Sequence, residues 1–175
     1  MTATVESPGN DPARRRQQEY TMSILTTTHL NFRGDARAAL EFYASVFGGQ
    51  TAISTYGDFG MPKDLPGADK VVFGQVENQD GFRIMAYDIP GRTADSTEVT
   101  GHTYREHGTT VTDQPFFVSV RGHTIDEVQG YWDALCTEGK IIEPFAASSW
   151  SPGFGMVTDR FGVTWSLDVA PAHAE

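Results

Sequence analysis

Trp150-Ser-Pro-Gly-Phe-Gly-Met-Val-Thr-Asp-Arg-Phe-Gly-Val-Thr-Trp-Ser-Leu-Asp168 is the stretch whose reading decides the fold of this 175-residue chain. It predicts two strands, Phe154 to Thr158 and Val163 to Asp168, joined by Asp159-Arg-Phe-Gly162. In the second strand Val163, Trp165 and Leu167 share one face, and Thr164, Ser166 and Asp168 share the other. One face suits a core and the other a wetter surface. An earlier hairpin has the same layout: Val71 to Glu77 and Phe82 to Asp88, around a turn at Asn78-Gln-Asp-Gly81.

Each hairpin closes a unit that also holds a strand and a helix. In the first unit a strand runs from Ile24 to Arg33, Gly34 turns the chain, and Asp35 is placed to cap a helix. Ala36, Ala39, Leu40, Tyr43 and Phe47 fall at helical spacing, Gly48-Gly49 ends the helix, and Gln50 to Tyr56 is a further strand. In the second unit a strand runs from Pro115 to Arg121. Thr124-Ile-Asp-Glu127 is a capping box, Val128, Tyr131, Trp132 and Leu135 form the stripe, and Lys140 to Ala147 is a strand. Laid over one another, Arg33-Gly34 matches Arg121-Gly122, Phe42-Tyr43 matches Tyr131-Trp132, Gly49 matches Gly139 and Gly81 matches Gly162. The chain is therefore read as α+β: paired βαβββ modules whose curved mixed sheets form a cup, with a ligand site on the strand faces opposite the helices. The expected divisions are a tail over 1–22, a first module over 23–88, a linker over 89–113, a second module over 114–169 and a tail over 170–175. The linker has room for a short hairpin around Gly101 and His102, and the Gly- and Pro-rich loop from Gly57 to Lys70 suits a lid or site edge.

Composition narrows the partners. Thirteen Lys and Arg against 23 Asp and Glu give a net charge of −10, which argues against nucleic acid and anionic membranes. No apolar run reaches the length of a membrane span, and Arg14-Arg15-Arg16 is not followed by the apolar core of a secretory signal, so a cytoplasmic protein is expected. The single cysteine, Cys136, excludes an internal disulfide and is expected to be a small half-buried helix residue. No Ser-His-Asp set, Cys-His set or phosphate-binding loop can be assembled by motif.

The residues also resemble a family. His29-Leu-Asn-Phe-Arg-Gly-Asp-Ala-Arg-Ala-Ala-Leu-Glu-Phe-Tyr-Ala-Ser-Val-Phe-Gly-Gly49 is similar to the opening of PhnB-like proteins, a branch of the vicinal oxygen chelate (glyoxalase/bleomycin-resistance) superfamily. Asp69-Lys-Val-Val-Phe73, Met85-Ala-Tyr-Asp88, Tyr131-Trp132 and Val157 to Trp165 carry the resemblance onward, so that it spans Ile24 to Val169. It implies paired βαβββ modules and a homodimer. It also implies that metal-dependent relatives draw ligands from the first and last strand of each module. Those positions here are expected to be His29, Met85, Phe117 and Ser166. Only His29 is a good donor for a divalent cation; a thioether, a phenyl ring and a neutral hydroxyl are not.

The site expected from these considerations is a cup with no metal and no cofactor. It is lined by Phe73, Met85, Tyr87, Phe117 and Trp150, with His29, Asn31, Ser119 and Ser166 as polar contacts for a small molecule. Two other functions compete: a metal-dependent lyase, isomerase or dioxygenase with His29 as ligand, and a regulatory module that engages a partner through Ile89 to Asp113. Methyl transfer has no visible cofactor loop.

Overall fold

The computed structural model describes residues 24–93 and 102–171. The expected 1–22 tail, residues 94–101 of the expected linker, and the end of the chain from 172 lie outside these residues. The first unit runs β1 (Thr28–Phe32), α1 (Ala36–Phe47), β2 (Gln50–Thr55), β3 (Val71–Glu77) and β4 (Arg83–Asp88). A hairpin follows, β5 (Thr103–Glu106) and β6 (Thr109–Thr112), and then β7 (Val118–Gly122), α2 (Ile125–Leu135), β8 (Lys140–Ala146), β9 (Phe154–Thr158) and β10 (Thr164–Val169). Two four-stranded sheets result with the same order, β1-β4-β3-β2 and β7-β10-β9-β8. In each, the first and last strands of the unit pair in parallel and the other neighbours are antiparallel. The duplicated α+β architecture read from the sequence is the architecture of the molecule.

The repeat extends to contacts. Each helix lies on a glycine of its third strand. A Cβ at Gly74 would come within 2.3 Å of Leu40 Cδ1, and one at Gly155 within 2.7 Å of Trp132 Cζ3. Both hairpin turns are organised by a side chain three residues before their positive-φ glycine. Asn78 Oδ1 accepts from the amides of Asp80 and Phe82, and Asp159 Oδ1 accepts from those of Phe161 and Val163.

Two local expectations are corrected. Asp35 makes no side-chain cap bond. The start of α1 is capped from across the sheet by Asp88, whose Oδ1 accepts from the amides of Gly34 (2.8 Å) and Ala36 (3.0 Å). Its Oδ2 accepts from the Val71 amide at 2.9 Å. A remote carboxylate thus supplies what the adjacent one was expected to supply. The capping box of α2 is present as read, with the Glu127 amide donating to Thr124 Oγ1 and Glu127 Oε2 accepting from the His123 amide. The second correction concerns Arg33-Gly34 and Arg121-Gly122. Gly34 is a turn residue at φ +118°, beyond the end of β1, whereas Gly122 is the last residue of β7, packed so tightly on Val128 that a Cβ would come within 2.5 Å of it. The two dipeptides look alike but do different work, and aligning them shifts β7 against β1.

The modules join through their helix-facing sides. Tyr43 and Trp165, both fully buried, meet edge to face at 5.2 Å, and Phe47 contacts Trp165 at 5.3 Å and Tyr131 at 5.0 Å. At the centre of this apolar junction sits Asp159, whose Oδ2 accepts from Tyr43 Oη (2.7 Å) and Trp165 Nε1 (2.8 Å). Burying this much aromatic surface supplies the main cohesion of the pair. Because both sheets turn their helix-facing sides toward one core, their open faces point away from it.

Cys136 closes α2, half-buried. Burial first, and the neighbouring Asp133 carboxylate second, push its thiol up to about 11. We expect it to react with a disulfide reagent near pH 8 roughly a hundredfold more slowly than an ordinary thiol; a rate equal to that of free cysteine would show that the helix end opens.

Candidate functional site

Strand pairing places the expected site residues in rows. On the first sheet His29 lies beside Met85, Met85 beside Gln75, and Gln75 beside Ala52. The next row carries Asn31 beside Tyr87, and Phe73 beside Ser54. His29, Asn31, Phe73, Met85 and Tyr87 therefore share one face, opposite the helix, because alternation sends Leu30, Phe32, Ile84 and Ala86 into the core. The His29 and Tyr87 rings meet edge to face at 5.4 Å, and Phe73 is 39% exposed. On this face Arg83 pairs with Glu77, and Glu77 also accepts from Gln75. Gln75 was missed by the sequence reading, although its alternation with Phe73 could have found it.

On the second sheet the matching row is Ser119, Ser166, Met156 and Glu143. The Ser119 and Ser166 hydroxyls are 3.0 Å apart. In the row beside it, Arg121 pairs with Asp168 at 2.6 Å, and Phe154 lies opposite Asp168. Trp150 precedes β9, stands 60% exposed and meets Phe154 at 5.5 Å. Phe117 is not where it was expected. It lies one residue before β7, and the counterpart of His29 is Ser119. The nine residues expected to line one cup thus divide between two faces, with Phe117 at a strand mouth.

The metal positions follow from this register. The first and last strands of the two modules present His29 with Met85 and Ser119 with Ser166. One imidazole, one thioether and two hydroxyls are a poor match for the N/O donor sets that hold catalytic divalent cations. Among the described residues no group of three or more His, Cys, Asp and Glu side chains is gathered closely enough to hold a metal ion. The donor set does not fit the metal centre of a chelate-type enzyme.

A separate cleft of about 310 Å³ lies where β7 passes the β3–β4 turn, lined in part by Phe47, Phe82, Val118, Val120 and Tyr131. Its floor is the Phe47–Phe82 stack, centroids 4.2 Å apart. It opens at the module junction, and its rim takes in Ser119 and Arg121 of the second open face and Arg83 of the first. Among the described residues no helix is long and apolar enough to cross a membrane.

Comparison with known proteins agrees with this architecture. The chain is 35% identical to Protein YjdN of Escherichia coli (strain K12) over 54 residues, which is 31% of this chain and 37% of that protein, so the match spans little more than a third of that relative. Protein PA1353 from Pseudomonas aeruginosa superposes with a TM-score of 0.66 at 26% identity, covering 85% of this chain and 98% of that one. A protein from Bacillus cereus described as a putative 3-demethylubiquinone-9 3-methyltransferase, PhnB protein, superposes with a TM-score of 0.60 at 26% identity, over 84% of this chain and 100% of that one. The family model of the Glyoxalase/Bleomycin resistance protein/Dioxygenase superfamily matches residues 26–167, from just before β1 into β10. With the duplicated βαβββ fold already described, this chain belongs to the glyoxalase/bleomycin resistance protein/dioxygenase superfamily.

Proposed function

We propose that this protein binds a small organic molecule without a metal ion, on the face carrying His29, Asn31, Phe73, Met85 and Tyr87. The observation that carries this reading is the register that sets His29 beside Met85 and Ser119 beside Ser166. It leaves one metal-type donor where a chelating enzyme needs three or four, while keeping an exposed face with two aromatic rings, a thioether, an imidazole and amides. Such a mixture favours ligands with a flat apolar body and a few hydrogen-bonding atoms.

The same reading includes a homodimer. β1 and β7 each pair on one side only. Unpaired edges invite pairing with another chain, and a two-fold arrangement pairs them twice. Laying β7 of a second copy along β1 would bring its Ser119–Ser166 face beside the His29 face, completing a cup that one chain leaves half-walled.

Metal analysis and probe binding on the purified protein test this. We expect only trace metal after dialysis. A neutral apolar dye such as Nile red should bind, and Phe73→Ala should weaken it about tenfold, the worth of one good aromatic contact. Stoichiometric zinc, nickel, manganese or iron that survives dialysis and is lost in His29→Ala would overturn the reading and favour the metal-dependent enzyme. A chain mass at the 19.2 kDa of one copy under all conditions would remove the dimer.

A further inference from the structure

The β5–β6 hairpin makes the two matching faces unequal. It lies over the second sheet. Arg105 Nε donates to Glu143 Oε2 on β8 at 2.8 Å, and Thr110 Oγ1 donates to Met156 Sδ on β9 at 3.6 Å. At its base, Gln114 Oε1 accepts from Thr103 Oγ1 (2.9 Å) and from Thr164 Oγ1 on β10 (2.7 Å). Met156 is consequently only 3% exposed, although it points to the open face. The first sheet supplies the control: Gln75, the counterpart of Met156, is only half-buried, and Ala52, the counterpart of Glu143, is exposed.

The hairpin sits on the sheet by its polar side. Thr103, Arg105, Thr110 and Thr112 alternate inward, while Tyr104, 45% exposed, and Val111 alternate outward. A hairpin permanently fused to the core would turn its apolar side in. A seat made of hydroxyls, one amide and a partly exposed ion pair exchanges its bonds for water at little net cost, which is the property of segments that open locally. Arg105 also donates to Thr110 Oγ1 at 2.9 Å, so it ties the two hairpin strands to each other as well as to β8.

We propose that the hairpin is a latched cover over the β8–β9 side of the second face, with Arg105–Glu143 as its latch, and that lifting it exposes Met156. The cover does not depend on what the first face binds.

Methionine oxidation by dilute peroxide, read by mass spectrometry, together with amide hydrogen exchange, tests it on the intact chain. In the parent protein Met156 should oxidise about tenfold more slowly than half-exposed Met85. Arg105→Ala and Glu143→Gln should each raise the Met156 rate at least about fivefold and speed exchange of the β5 and β6 amides, with the amides of Val157 and Trp165 unchanged. Unchanged Met156 oxidation in both variants would overturn the latch. Equal acceleration at Val157 and Trp165 would overturn it too, because the pair would then be holding the whole module together.

Discussion

Replacing Asp159 by Asn is expected to lower the stability of this protein by about 2–4 kcal/mol, among the largest single effects in the molecule. The carboxylate is 4% exposed and takes four hydrogen bonds: two amides of its own turn on Oδ1, and Tyr43 Oη and Trp165 Nε1 on Oδ2. An amide nitrogen in place of Oδ2 can satisfy the tyrosine oxygen, but it faces the indole N–H donor to donor. Asp159→Ala strands both. Because Tyr43 comes from the first module and Trp165 from the second, the loss falls on the junction. Urea unfolding should show it as a lower midpoint, and a midpoint within error of the parent would refute this role. Burial pushes the Asp159 carboxyl above the ordinary carboxylate value, and its four donors only partly offset that. The folded protein therefore binds the Asp159 proton more readily than the unfolded chain does. The contribution of this residue to stability falls as pH rises from the unfolded value of about 3.9 through the folded one. The stability gap between parent and Asp159→Asn should widen as pH is lowered from neutral through that interval.

Asp88→Val is expected to cost about 3–4 kcal/mol, or roughly 6–15 °C in Tm for a chain of this size. Asp88 is 2% exposed, and its two carboxylate oxygens accept from Gly34, Ala36 and Val71, fastening β1, the start of α1 and β3 to the end of β4. Valine is the informative replacement because the same position in the second module is Val169. There the helix carries its own capping box, and Ser151 Oγ accepts from the Val169 amide and donates to the Val169 carbonyl, so no buried acceptor is required. The exchange of the Gly34, Ala36 and Val71 amides should accelerate together in Asp88→Val. Intact protection at those amides would show that another group caps α1.

How far the sequence could be read is clear from particular residues. The stripe Ala39, Leu40, Tyr43 and Phe47 and the pair Trp165 and Leu167 named buried core residues correctly, with Val163 only half-buried against that core, because burial follows from period and polarity, which are local. The resemblance over Ile24 to Val169 pointed to the superfamily that the family match over 26–167 establishes. The β1-to-β7 alignment failed because Arg33-Gly34 and Arg121-Gly122 are identical as text. Only close packing on Val128 distinguishes the glycine within a strand from the glycine in a turn. Asp35 was chosen as a cap by adjacency, whereas the atom that caps α1 is more than fifty residues away. Asp159, read as a connector, became the polar centre of the junction because a helix of the other module brings Tyr43 onto it.

The chain by itself determined the elements and their duplication, since these depend on residue type and short-range order. Tertiary structure alone decided that the nine residues expected to line one cup divide between the two sheets and that a hairpin from the expected linker packs over β8 and β9 of the second. Those outcomes depend on which sides of the two sheets share a core. That choice is made by aromatic packing between residues far apart in the chain, such as Tyr43 and Trp165.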